Sequence, residues 1–445
     1  MNKKVNRRTL ITGVAAGVAT ASLQTRGQEP PRRITRSIGG ESATVNRSTI
    51  EWPIWNQVEE TEILGVLHSG KWGRTTGGEK LRQFETSFAE RMMARYCIAT
   101  SSGTTALLTT LGALGIGPGD EVIMPPYTFV ATFNAITSSY ALPIFVDSDI
   151  ETFQIDTNKI AARVNDHTRL IMPVHIGGSP ADLDGVRRVA DSRKIPVIED
   201  ACQAPMAQWR GQPVGTIGLG GCFSFQASKN ITSGEGGAVI TNDEDFANRC
   251  YDFHTPGGAK KSKSLGRGSN FRLTEFQAGL LVAQMTRQEE HCQIRDSNAA
   301  YLSEMLAQIP GIKPAKLTPG TTRSAWHLYM FRYDSEAFAG LNRGAFLKEL
   351  GKSGVTGAST GYNRLNESDH VRALAANPHY QRIYGKEFMS RWLEQNRCPE
   401  NDRLCDQAVW FSQTKLLGDR QQMELIAKSI ADIQRRAPMI VKQSS

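Results

Sequence analysis

Three side chains in two short stretches could act on one molecule: Asp200 in Glu199-Asp200-Ala201-Cys202-Gln203, and Ser224 and Lys229 in Phe223-Ser224-Phe225-Gln226-Ala227-Ser228-Lys229. A carboxylate, a hydroxyl and an amine match separate needs of pyridoxal 5'-phosphate (PLP), which takes a lysine as a Schiff base, a carboxylate on its ring nitrogen and donors for its phosphate. A lysine attacks an aldehyde only as the neutral amine, so its pocket must favour that form or pass the proton on. Once an amino substrate displaces it, the freed amine sits over the reacting carbon and can move a proton, a general-base contribution of roughly 10² to 10⁴ in rate. Each residue alone has a commoner explanation: a loop lysine is usually solvated, and a strand-end aspartate usually caps the next turn. It is their combination that points to one cofactor.

The surrounding elements must bring these groups together. Asp200 follows Ile195-Pro196-Val197-Ile198, a short apolar run that predicts a buried parallel strand. The carboxyl end of such a strand faces the crevice in which open α/β sheets bind ligands. The phosphate has its own candidates in Ser101-Ser102-Gly103-Thr104-Thr105, which follows the strand-like Tyr96-Cys97-Ile98-Ala99 and opens an apolar helical pattern. Gly103 would let the backbone approach an anion, and the free amides of the helix start would point at it. The same residues also make an ordinary helix cap. Ser224, on a second strand, could add a hydroxyl to the same phosphate. Short apolar runs from Glu121 to Met124, Leu142 to Val146, Leu170 to Val174, Pro196 to Glu199, Gly221 to Phe225 and Ala238 to Thr241 alternate with helical patterns. That alternation predicts an α/β chain with a large, mostly parallel, doubly wound sheet. Trp55 to His68 predicts an amphipathic helix with Val58, Ile63, Leu64, Val66 and Leu67 as its apolar positions. Gly361 to Glu394 is polar and aromatic without a strong period, which fits a long loop or short helices.

From about Trp72 to Gln277 the chain resembles the DegT/StrS family of PLP-dependent sugar and cyclitol aminotransferases. The resemblance rests on the order and spacing of Ser102-Gly103-Thr104, Gly117-Pro118-Gly119-Asp120-Glu121-Val122-Ile123, Pro126-Tyr127-Thr128-Phe129-Val130-Ala131-Thr132, Phe145-Val146-Asp147, Pro173-Val174-His175, Glu199-Asp200, Phe223-Ser224-Phe225 and Gly234-Glu235-Gly236-Gly237. It implies a fold-type-I PLP-dependent transferase in which Lys229 carries the Schiff base and Asp200 pairs with the ring nitrogen. It further implies that Gln203 lies near the ring hydroxyl, that Phe129 stacks on the cofactor, and that Thr104, Thr105 and Ser224 bind the phosphate. Asn270, in Gly268-Ser269-Asn270-Phe271-Arg272, matches an asparagine that the family lends to the neighbouring subunit's phosphate, which makes a homodimer part of the active site. Ser324-Ala325-Trp326-His327-Leu328-Tyr329 resembles the opening strand of the family's small domain, with His327 near the substrate. The implied activity moves an amino group from glutamate or glutamine to a keto-sugar or keto-cyclitol. Cys398-Pro399 and Ala408-Val409-Trp410-Phe411 resemble members acting on cyclitols or aminohydroxybenzoate precursors, with Gln413 where such members carry a histidine. A PLP-dependent sugar dehydratase is disfavoured, because the family's dehydrating members replace the lysine that Lys229 retains. An exported, catalytically idle sugar-binding or sensory protein of the same fold is the alternative from another class.

Length and composition, 445 residues with 40% hydrophobic and 22% charged, suit one large subunit of two lobes. The division read from the sequence is a large PLP-binding domain with its N-terminal helix over 51–300 and a smaller α+β domain over 301–445. The net charge is +8, and the first 36 residues hold eight basic side chains against Glu29, so the body of the chain is nearly neutral. That concentration argues against a nucleic-acid partner, whose binding needs a basic surface on the folded domain. Asn6-Arg7-Arg8-Thr9-Leu10-Ile11 opens into a mild apolar stretch ending near Leu23, and residues 1–28 resemble a twin-arginine export signal leading to the periplasm. This apolar run falls short of the roughly 20 residues a membrane span needs. Residues 29–50, with Pro30-Pro31, read as a linker. Seven cysteines without a Cys-x-x-Cys pair suggest no disulfide framework, and the eight histidines show no metal-ligand spacing.

Overall fold

The computed structural model describes residues 50–256 and 265–444. The expected export signal, and all but the last residue of the expected linker, lie outside the described residues.

The predicted strands form one sheet. They are β1 (Tyr96–Thr100), β2 (Glu121–Met124), β3 (Leu142–Phe145), β4 (Thr168–Ile171), β5 (Ile198–Asp200), β6 (Gly220–Ser224) and β7 (Gly237–Thr241). Parallel bridges from Ile171 to Val197 and from Val174 to Asp200 join its two halves, giving the order β3-β2-β4-β5-β6-β7-β1. Only β7 runs against the rest. The reason is local: a parallel return needs a crossover, usually helical, whereas the segment between Ser224 and Gly237 contains no helix and turns straight back. Lys229 sits in that turn.

Both sheet faces are covered. Period-two alternation in β6 sends Phe223 and Phe225 to one face, where they meet Phe84 and Phe88 of α2 (Lys80–Arg91) at ring distances of 5.3 to 5.4 Å. Cys222 faces the other way, into the core made with Ala106, Leu107 and Leu111 of α3 (Gly103–Leu114). Ser224, on the same face as Cys222, is thereby aimed at the start of α3.

The smaller sheet is antiparallel, ordered β8 (Ile312–Pro314), β9 (Leu328–Tyr333), β11 (Ala408–Ser412) and β10 (Ala358–Ser359). The long helices Gln288–Leu306 and Arg420–Ser444 pack on it. The aperiodic stretch after Gly361 resolves into three short helices, Asp369–Ala376, Pro378–Tyr384 and Lys386–Gln395. Their buried Val371, Leu374, Tyr380 and Trp392 join the core of the large sheet. Trp392 Nε1 donates to Pro143 O at 2.9 Å. Residues beyond 300 therefore serve both sheets, a crossing that local periodicity does not reveal.

Helix α1 (Gln57–Ser69) is capped by Asn56, but its side chains are not placed as amphipathicity predicts. Of the five apolar positions only Val66 is buried; Val58, Leu64 and Leu67 are exposed. The buried anchor is Glu59, held by Gln284 and Arg287.

Candidate active site

Asp200 ends β5, and its backbone continues the parallel ladder: its N–H donates to Pro173 O and its carbonyl accepts from His175 N–H, at 2.9 and 3.0 Å. Successive strand residues face opposite ways. Glu199 accordingly turns from the cavity and accepts the N–H groups of Gly215, Ile217 and Gly218 at 2.6 to 2.9 Å. Its other partner is His175 Nε2 at 3.0 Å. Because Ala181 N–H donates to His175 Nδ1, the imidazole proton sits on Nε2 and completes the Glu199 shell. This buried pair is scaffolding that fixes the end of β5.

Asp200 points into the crevice beyond the sheet. Its Oδ2 accepts the Thr132 hydroxyl at 2.8 Å and its Oδ1 the Cys202 N–H at 3.2 Å. Thr132 lies on α4 (Val130–Ser138), one turn beyond Phe129, the residue that begins that helix. The Phe129 ring is exposed while lining the same cavity, so it offers a free face to a planar partner.

The Lys229 turn is pinned on both sides. Trp52 Nε1 donates to Ala227 O at 2.9 Å, and the Asn230 amide donates to Ala325 O. Among the described residues the Lys229 amine has no hydrogen bond or ion pair. Burial holds its pKa below the usual lysine value, against the opposing pull of Cys202 and Asp200. The shift is toward the neutral amine needed for attack on an aldehyde.

At the other end, α3 starts hard against β6. A Cβ on Gly103 would stand 2.7 Å from Ser224 Cβ and 3.0 Å from Cys202 Sγ, so only glycine lets the helix amides come this close. Ser102 caps the helix, its hydroxyl accepting Thr105 N–H at 3.1 Å.

These pieces enclose a cavity of about 550 Å³ lined by Gly103, Thr104, Phe129, Asp200, Gln203, Ser224, Lys229 and His327. Eight of the ten expected site residues are brought together. Thr105 is not among them, and the cap explains why: its hydroxyl accepts Ser102 N–H at 2.8 Å and donates to Ser102 O at 2.9 Å, so it closes the helix start instead of reaching the cavity. Asn270 is exposed and lies outside this cavity, with Oδ1 accepting Arg272 N–H at 3.5 Å. His327 is buried, and its Nδ1 faces Asn230 Oδ1 at 3.1 Å. Since the Asn230 amide nitrogen is turned to Ala325 O, the His327 proton sits on Nδ1, leaving Nε2 an acceptor. Burial, then the nearby Lys229 and Arg295, push its pKa well down and keep it neutral.

Thr132 and Tyr362 also line the cavity and hydrogen-bond to expected site residues. Thr132 was read only as part of the Pro126–Thr132 motif, and its partner Asp200 is 68 positions away. Tyr362, which accepts a hydrogen bond from Gln203 Nε2 at 2.8 Å, sits in the stretch without a period.

An amine with no hydrogen bond or ion pair among the described residues, a hydrogen-bonded carboxylate, a glycine-opened helix start and an exposed aromatic ring fit the aldehyde, ring nitrogen, phosphate and ring face of PLP. Together with the sheet order they define a fold-type-I PLP-dependent aminotransferase scaffold. The chain belongs to the DegT/DnrJ/EryC1/StrS aminotransferase family, whose model matches residues 55–429. It is 34% identical over 408 residues to the L-glutamine:2-deoxy-scyllo-inosose aminotransferase of Streptoalloteichus tenebrarius, covering 87% of this chain and 95% of that protein. Identity to the 3-amino-5-hydroxybenzoate synthase of Amycolatopsis mediterranei is 32%, over 88% of this chain and 99% of the relative. A crystal structure of 3-amino-5-hydroxybenzoic acid synthase superposes with a TM-score of 0.77 at 30% identity, covering 87% of this chain and 99% of the other. An aminotransferase from Psychrobacter cryohalolentis superposes with a TM-score of 0.75 at 29% identity, covering 88% of this chain and all of the other.

Proposed function

We propose that the protein binds PLP in this cavity and uses it to move an amino group from glutamine or glutamate to a ketone on a cyclitol or sugar ring. The observation that carries the reading is that one cavity is lined by the Asp200 carboxylate, the Gly103 helix start and a Lys229 amine with no hydrogen bond or ion pair among the described residues. The activities named for the relatives support the choice of donor and acceptor.

Bound there, PLP supplies an electron sink for charge left on the amino-bearing carbon. Asp200, steadied by Thr132 and the Cys202 N–H, would keep the ring nitrogen protonated. Lys229 would take up and move the proton of the donor's amino-bearing carbon, a role its lowered pKa suits. The neutral His327 offers an acceptor to substrate hydroxyls.

Acceptor class is tested by charging the enzyme with glutamine and then offering keto-cyclitols, keto-sugars and simple keto acids. The cofactor's original visible band should return with a ring ketone. Return with small keto acids alone overturns the sugar or cyclitol assignment, and return with nothing points to an idle binding protein of the same fold.

Activity is expected to need a homodimer, with Asn270 serving the phosphate bound by the partner. Support comes from Asn270 lying exposed outside its own cavity, and from the exposed apolar side chains Trp55, Leu64 and Leu67 at α1. An apolar depression of about 300 Å³ lies between Trp55 and Gly234, near the Lys229 turn. Mixing Lys229→Ala with Asn270→Ala should restore part of the activity, since hybrid dimers contain one site with both residues intact. A fully active monomer in light scattering would contradict this.

Residues 1–28 are proposed to direct twin-arginine export, on the strength of Arg7-Arg8 and the weak apolar run after them. Arg7→Lys combined with Arg8→Lys should leave the protein in the cytoplasm; unchanged export of that variant would point to another route.

A further inference from the structure

Tyr362 lines the cavity beside Gln203, and its hydroxyl is tightly constrained. The constraint begins at Gly177, whose backbone N–H donates to Gln203 Oε1 at 2.8 Å. A backbone N–H can only donate, so the Gln203 amide has one orientation and its Nε2 must face Tyr362 Oη, 2.8 Å away. The amide nitrogen has no lone pair to offer, so Tyr362 is the acceptor. Its own hydrogen is left over, and among the described residues no protein group accepts it. The ring cannot swing to find one: Tyr127 and Trp410 hold it edge-on, with centroids at 5.5 and 4.6 Å and planes at 79° and 75°. Burial pushes the phenol pKa up to about 12, so the group remains a donor across the working pH range.

The covalent structure of PLP says what that donor would meet. Ring nitrogen and aldehyde carbon lie opposite each other, and the phosphate arm and ring hydroxyl flank the aldehyde carbon on its two sides. With the ring nitrogen toward Asp200, the aldehyde carbon toward Lys229 and the arm toward Gly103 and Ser224, the hydroxyl falls to the remaining lining groups, among which Gln203 and Tyr362 form a hydrogen-bonded pair with a donor to spare. We propose that Tyr362, oriented by Gln203, donates its hydrogen to this ring oxygen. The proposal rests on PLP being the cofactor.

A donor there draws negative charge from the ring oxygen, which competes for the proton on the nitrogen joined to Lys229. Without the donor that proton is held more tightly. Tyr362→Phe keeps the aromatic packing and removes only the hydroxyl, so it should raise the pH midpoint of the bound cofactor's visible absorbance change by about one to two units, the size of a lost hydrogen bond to a charged group. Trp410→Phe, which disturbs the packing and keeps the hydroxyl, should leave the midpoint near that of the parent. An unmoved midpoint in cofactor-loaded Tyr362→Phe overturns the proposal alone, whereas a parent protein with no visible band overturns the cofactor assignment itself. Should Tyr362→Phe fail to fold, Gln203→Met, which removes the orienting N–H, must raise the midpoint in the same direction, and an unmoved value there counts equally against the proposal.

Discussion

Lys229→Ala is expected to slow amino transfer from glutamine by about 10² to 10⁴-fold, the range for losing a positioned general base, and to abolish covalent retention of PLP. Stability should be little affected, because the amine has no hydrogen bond or ion pair among the described residues and the turn is held by Trp52 and Asn230. The melting temperature serves as the control. A small primary amine added to the buffer should recover part of the rate, since it can take up the space and the proton-moving role of the missing side chain. Parental rates in Lys229→Ala would show that another group moves the proton.

Asp200→Asn should produce the second large loss, about 10² to 10³-fold in the half-reaction with glutamine, as for removal of one aimed charge in a water-poor site. Two effects add. The amide carries no charge to keep the ring nitrogen protonated. It also has one acceptor oxygen where the carboxylate has two, so it must turn an N–H toward either the Thr132 hydroxyl or the Cys202 N–H. Affinity for PLP should fall much less than the rate, since the phosphate side and Phe129 are untouched. Single-turnover kinetics beside a cofactor titration separate the two, and equal losses in both would mean that Asp200 acts mainly in binding.

What was legible in the sequence is what lies in short contiguous pieces. Asp200 could be read because an apolar strand immediately precedes it, Gly103 because a strand leads directly into a helix, and Lys229 because the Ser224 hydroxyl and the Asp200 carboxylate in neighbouring pieces meet the needs of the same cofactor. Thr105 was legible but ambiguous: a threonine three residues after a serine at a helix start can serve a ligand or the cap, and the cap took it. Thr132 shares its hydrogen bond with a residue 68 positions away, and Tyr362 pairs with Gln203 across 159, separations at which no local spacing exists to be read. The same limit governs the three short helices after Gly361, whose apolar residues complete a distant core instead of a face of their own. In α1 the apolar pattern was real, but burial within one chain did not follow from it, because Glu59 is the side chain that anchors the helix.

The central claim, that Lys229 is the covalent anchor of a PLP aminotransferase, is tested most directly by reducing the PLP-loaded protein with borohydride and locating the label by peptide mass analysis. The account predicts a single stable phosphopyridoxyl adduct on the peptide containing Lys229, and loss of that adduct when glutamine is added before the reductant. An adduct on another lysine, or one on Lys229 that glutamine does not diminish, would contradict it.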